Sequence, residues 1–138
     1  MEPWPDIPGP DVNADAAPYW AAAAEGRLVI QKCADCGTFR FYPRHLCPGC
    51  GGDAAAWTEV SGRGAVHSFT VVHRAPTPAF RALAPYVIAL IDLDEGPRMM
   101  ANLLGADALE TAIGDPVGVV FQERAGGVRV PQFVRRSG

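Results

Sequence analysis

Every cysteine in the chain falls in one of two pairs, Cys33-Ala-Asp-Cys36 and Cys47-Pro-Gly-Cys50, with ten residues between them. Each pair is followed by glycine, Gly37 and Gly51. This is the pattern of a metal knuckle. The chain turns tightly so that two sulfurs face one ion, and glycine tolerates the positive φ such a turn needs. Two knuckles supply four thiolates, enough for a tetrahedral Zn²⁺ site. A site closed by four cysteines has no open position for water or substrate, so the metal it implies is structural. Four thiolates also suit iron in a rubredoxin-type site. Two redox CxxC motifs and free thiols are the remaining readings. His45 is an alternative ligand two residues before Cys47. Lys32, Arg40 and Arg44 lie close enough in sequence to offset the thiolate charge, or to be solvated surface groups.

Short elements must position these ligands. The chain has 138 residues, with 15 Gly and 13 Pro. Such a composition favours short strands and turns over long helices. Residues 1–13 carry Pro3, Pro5, Pro8 and Pro10 with Trp4 and Ile7, and predict an extended arm. Residues 15–25 predict a helix, with Asp15 as N-cap, Pro18 in the first turn and Gly26 as stop. Tyr19 and Trp20 are its only large apolar groups and must dock it. Arg27 to Lys32 leads into the first knuckle as a strand, Thr38 to Tyr42 forms a small hairpin, and Trp57 to Val60 follows the second knuckle. Gly62-Arg63-Gly64 marks a turn or bulge.

Beyond that turn the pattern is strand: Ala65 to His73, Tyr86 to Leu93, Arg98 to Leu104, then one or two helical turns over Asp107 to Ile113. Val117 to Arg124 and Val128 to Val134 complete it. Three strands, a short helix and two strands is the order of an OB-fold, a five-stranded Greek-key barrel. An SH3-like barrel is the alternative. The expected organisation is mainly β: an N-terminal arm and helix over 1–26, a zinc ribbon over 27–60 and an OB barrel over 61–138. The long connection Arg74 to Pro85 carries Pro76, Pro78, Phe80 and Leu83, which either cap the barrel mouth or meet a partner.

Charge narrows the function. The formal net charge is −3, which counts against nucleic-acid binding, since phosphate neutralisation supplies most of that affinity. No apolar run approaches the ~18 residues of a membrane span. No Lys or Arg precedes Arg27, which argues against a secretory or mitochondrial leader and predicts a cytoplasmic protein.

The whole layout resembles the zinc-ribbon/OB-fold proteins associated with acyl-CoA enzymes, a family long known as a domain of unknown function. The resemblance runs from Tyr19 to Phe133. It rests on Tyr19-Trp20, Leu28 to Cys33, Phe41-Tyr42-Pro43-Arg44, Cys47-Pro-Gly-Cys50-Gly51, Trp57, Gly62-Arg63-Gly64, Ser68-Phe69-Thr70-Val71, Pro85-Tyr86, Leu93-Asp94-Glu95-Gly96 and Ile113-Gly114 with Pro116-Val117. It implies a rubredoxin-like zinc ribbon, a C-terminal OB barrel and a small subunit beside an acyl-CoA enzyme. Such a partner is a thiolase-superfamily aldolase, including those that shorten steroid side chains, a thiolase, or a MaoC-type hydratase.

The expected function is therefore a non-catalytic accessory subunit of a hetero-oligomeric acyl-CoA enzyme. Cys33, Cys36, Cys47 and Cys50 are its metal ligands, and it has no catalytic residue of its own. Arg44, Arg63 and Arg74 are candidate contacts for the phosphates of CoA, and Phe69 and Phe80 for its apolar parts. Each arginine taken alone is more often a solvated surface group. The alternatives are a single-stranded nucleic-acid module, a rubredoxin-like electron carrier and a stand-alone enzyme. The last is disfavoured because a thiolase-type nucleophile needs a free, activated cysteine.

Overall fold

The computed structural model describes Trp4 and residues 7–136. Of the expected arm, residues 1–3, 5 and 6 lie outside the described residues. Trp4 and Ile7 lie inside them. The Trp4 N–H donates to the Glu123 carbonyl at 2.8 Å, and Ile7 is buried.

Helix α1 spans Ala17–Ala24, preceded by a 3₁₀ turn at Ala14–Ala16. Asn13, rather than Asp15, supplies the cap, and it caps the 3₁₀ turn: its Oδ1 accepts from the Ala16 N–H at 2.9 Å, while α1 itself starts from Ala16 without a side-chain cap. An amide side chain one turn earlier satisfies the orphan donor, and Asp15 is left inside the turn. Gly26 ends the helix at φ 77°. Tyr19 packs edge-on against Phe41 at 5.6 Å, so the helix docks where expected. Ala22 and Ala23 are buried as well, because small side chains let the helix backbone approach the sheets closely.

Strands β1 (Val29–Cys33), β2 (Phe39–Arg40) and β3 (Ala55–Glu59) form a three-stranded antiparallel sheet with β1 in the centre. The expected hairpin over Thr38 to Tyr42 is only the two-residue β2, which pairs with β1 at Gln31↔Arg40. Leu28, Ile30 and Val60 bury into the same apolar cluster as the barrel residues, so ribbon and barrel share one core.

The barrel is closed by β4 (Arg63–Val72), β5 (Tyr86–Leu93), β6 (Arg98–Leu104), β7 (Pro116–Glu123) and β8 (Arg129–Arg135) in the order β4-β5-β6-β8-β7. Strands β6 and β8 run parallel and every other pair is antiparallel, which is the OB arrangement. The expected helix over Asp107 to Ile113 is a single 3₁₀ turn, Ala108–Glu110. Helix α2 (Pro78–Arg81) occupies the long connection, and the Ala84–Pro85 bond is cis. Val87, Ile91, Met99, Leu103, Val117 and Phe133 fill the barrel.

The bulge lies elsewhere than expected. Register shifts between Val66 and Ser68, leaving His67 as the extra residue. The inward face therefore changes parity, from Gly64 and Val66 to Phe69 and Val71. Gly62 does turn, at φ 75°, but Arg63 and Gly64 already belong to β4. Glycine is required at both positions for space. A Cβ on Gly62 would overlap the Val119 side chain, and one on Gly64 would stand 2.5 Å from the Asp92 carbonyl oxygen.

Candidate metal centre

The two knuckles repeat each other bond for bond. The Gly37 N–H donates to the Cys33 carbonyl and the Gly51 N–H to the Cys47 carbonyl, both at 2.9 Å. The Cys33 N–H donates to the Thr38 carbonyl at 2.9 Å and the Cys47 N–H to the Gly52 carbonyl at 2.7 Å. Gly37 and Gly51 both lie at φ 76°, with open space where a Cβ would stand, so backbone conformation alone selects glycine. The first cysteine of each knuckle is buried and the second exposed.

This brings all four sulfurs within 4.8 Å of one another. Cys33 and Cys50 lie 3.6 Å apart, and so do Cys36 and Cys47. Zn–S bonds of about 2.3 Å put tetrahedral sulfurs about 3.8 Å apart, so the cage has the size of the ion. His45 is exposed and outside the cluster. Hydrogen bonds from the Thr38 hydroxyl and backbone draw Cys36 down to about 6. The N–H groups of Cys50 and Gly49 lower Cys47. The Gly52 N–H pulls Cys50 down, but the neighbouring Cys33 and Cys36 sulfurs outweigh it and push Cys50 up to about 12. Four thiols this close resist losing the last proton to water, and a dication removes that resistance.

Arg40, which the sequence left either as an offset to the thiolate charge or as a solvated surface group, is buried. Its Nε donates to Gln31 Oε1 at 2.7 Å, and an Nη to the Arg44 carbonyl at 2.8 Å. Gln31 Oε1 also accepts the Arg44 N–H at 2.9 Å, which ties the loop between the knuckles to β1. Lys32 lies over the Phe39 ring at 5.2 Å. His67 faces Asp92 at 3.3 Å, and His73 is exposed beyond β4.

The five residues considered for coenzyme contact do not converge. Arg44 lies on the ribbon beside Asp15, Pro43, His45 and Asp53. Arg63 opens β4 and Arg74 follows its far end, on the order of 30 Å of strand away. Phe69 packs against the barrel core. Phe80, on α2, lies 5.5 Å from Tyr86 and edge-on to Trp4 at 6.3 Å.

Phe80 also borders a groove of about 480 Å³ that the sequence did not reveal. Trp20, Phe41, Met100, Asn102, Arg124 and Gln132 help line it. Its members come from both ends of the chain and five separate elements, so no local pattern could announce it. Arg124 stands over the rings of Trp4 at 5.7 Å and Phe80 at 5.9 Å.

Comparison with known proteins bears on both halves of the molecule. Residues 20–55 match the family model of the ChsH2 rubredoxin-like zinc ribbon domain, and residues 57–122 that of the ChsH2 C-terminal OB-fold domain. A probable enoyl-CoA hydratase alpha subunit of Thermomonospora curvata is 41% identical over 126 residues, 91% of this chain. The chain spans only 39% of that relative's length. A DUF35 domain-containing scaffold protein of Methanothermobacter thermautotrophicus is 37% identical over 97 residues, covering 70% of this chain and 72% of its own. Among solved structures, a chain of an Ltp2-ChsH2(DUF35) aldolase superposes with a TM-score of 0.82 at 40% identity. That match covers 92% of this chain and 98% of the other.

Proposed function

Because the chain belongs to the ChsH2/DUF35 family of zinc-ribbon and OB-fold proteins, we propose that it is a non-catalytic accessory subunit of a hetero-oligomeric acyl-CoA enzyme. The partner on this reading is a thiolase-superfamily aldolase, cleaving the side-chain acyl-CoA of a steroid or similar substrate, or a thiolase. The observation that carries it is the 0.82 TM-score at 40% identity with a chain of the Ltp2-ChsH2(DUF35) aldolase, matched over 98% of that chain. The 41% identity with a hydratase alpha subunit favours a second reading, a MaoC-type hydratase as partner.

The chemistry of the chain supports a supporting role. Cys33, Cys36, Cys47 and Cys50 are the proposed zinc ligands, and they are all the cysteines the chain has. Zinc held by four thiolates offers no position to a substrate; it fixes two loops that have little apolar surface of their own. With every thiol engaged, none is free as a nucleophile. A cytoplasmic setting suits cysteines kept reduced. Among the described residues no helix is long and apolar enough to cross a membrane.

The test is isolation of the tagged chain from its native cytosol. An acyl-CoA enzyme at fixed stoichiometry is expected. Nucleic acid in its place, or a chain that alone turns over an acyl-CoA, would contradict the reading.

A further inference from the structure

We propose that the groove beside β6 is the seat of an extended, acidic segment of the partner subunit, with Arg124 pairing its carboxylate. The proposal rests on the accessory-subunit reading and names the surface that reading leaves open.

Three observations converge on it. The first is an open strand edge. Strand β6 pairs with β5 along Arg98–Leu103, but meets β8 only at Leu103 and Leu104. The Asn102 N–H points across the gap to Gln132 Oε1 at 2.8 Å. Backbone groups alternate along a strand, so the N–H and C=O of Met100 point to the same side, where no described strand meets them. The Met100 side chain, 60% exposed, stands on the outer face of the barrel. An incoming strand would find a free donor and acceptor there.

The second observation is a cation without an anion. Among the described residues no carboxylate is paired with Arg124, and its Nε is buried without a hydrogen-bond partner. Trp4 and Phe80 hold the guanidinium in place by their ring faces. A desolvated guanidinium with an unused donor is suited to a carboxylate.

The third is composition. Tyr19, Trp20, Phe41, Tyr86, Met100 and Arg124 are the residue types enriched in the buried centres of protein interfaces, and methionine adapts to a partner's shape. A strand edge, an apolar floor and one fixed cation together describe a peptide segment better than a free amphiphile, which has no use for the edge.

The experiment uses the complex isolated with the tagged chain. A benzophenone amino acid at position 100 is photolysed in that complex. The crosslinked partner segment is identified, synthesised and titrated against the full chain. Crosslinking to an apolar segment that carries Asp or Glu is expected. Met100→Asp and Arg124→Gln should each weaken that peptide tenfold or more. Leu46→Asp and Ile113→Asp, at exposed apolar side chains away from the groove, should not. Exchanging the peptide's acid for Lys should restore binding to Arg124→Glu. Circular dichroism confirms that each variant is folded, and Met100→Asp, at an exposed side chain, decides the matter if the Arg124 variants do not fold.

A complex that survives at fixed stoichiometry with no crosslink, or is indifferent to both groove variants, overturns the groove and leaves the accessory role standing. A groove found in native mass spectra to hold a small amphiphile that the partner does not displace overturns it too. Absence of any stoichiometric partner overturns both.

Discussion

Gly37 and Gly51 occupy the same position in two copies of one turn: each lies at φ 76° and each donates its N–H at 2.9 Å to the carbonyl of the cysteine four residues earlier. The pair shows why the metal loops need so few residues. Each turn aims two sulfurs inward, and the two turns face each other across 3.6 Å sulfur contacts. Once the four thiolates gather, the ion is the only favourable way to hold them together.

Loss of one ligand should therefore release the metal and loosen the ribbon. For Cys36→Ser or Cys50→Ser we expect a zinc content below one tenth per chain, with wild type at one. Structural zinc contributes about 10 kcal/mol or more to folding of small zinc modules. The ribbon should become protease-sensitive while the β signal of the barrel persists. A stable variant that keeps its zinc would contradict the assignment.

Gly62→Ala should destabilise the barrel without touching the metal. The added methyl meets Val119, and the backbone at φ 75° disfavours any side chain. The expected cost is about 2 kcal/mol, read as a lower urea midpoint at unchanged zinc content.

Phe133 is fully buried at the centre of the barrel, where β8 meets β6 and β7. Truncation to alanine should cost about 3–5 kcal/mol. Equilibrium unfolding at a matched m-value measures it.

Asp115 contributes to the acid sensitivity. The Ala112 N–H at 2.9 Å, the Thr111 hydroxyl at 3.2 Å and Arg135 at 3.0 Å hold its carboxyl below the usual carboxylate range. A carboxylate lowered in the folded state adds stability above the unfolded value of about 4, and loses it as pH falls through the folded value. Asp115→Asn should be less stable than wild type at pH 7. The difference should shrink steadily below about pH 4, as urea midpoints at the two pH values would show.

The gathering of the four cysteines was legible because two CxxC pairs, each closed by a glycine, suit two facing knuckles, and their sulfurs do lie within 4.8 Å of one another. The strand order was legible because alternation survives in Tyr86 to Leu93, where every second residue is buried. His67 gave no such sign. Its bulge is a slip of register against β5, and nothing in Val66-His67-Ser68 differs from an ordinary strand. The burial of Arg40 was not legible because an arginine is charged wherever it lies, and only its partners Gln31 and the Arg44 carbonyl make burial tolerable. Arg124 was not singled out at all. Its ring contacts reach back to Trp4, 120 positions away, and such pairings exist only once the barrel closes. The same limit applies to Arg44, Arg63 and Arg74: a phosphate site requires convergence, and the fold spreads them.

The central claim is that this chain supports a partner's chemistry and performs none. The measurement that tests it most directly is turnover of the partner's acyl-CoA substrate by three samples: this chain alone, the partner alone and the reassembled complex. No turnover by the chain alone is expected, with the complex at least tenfold more active or longer-lived than the partner by itself. Turnover by the chain alone, or a partner whose activity and lifetime are unchanged by its addition, would contradict the account.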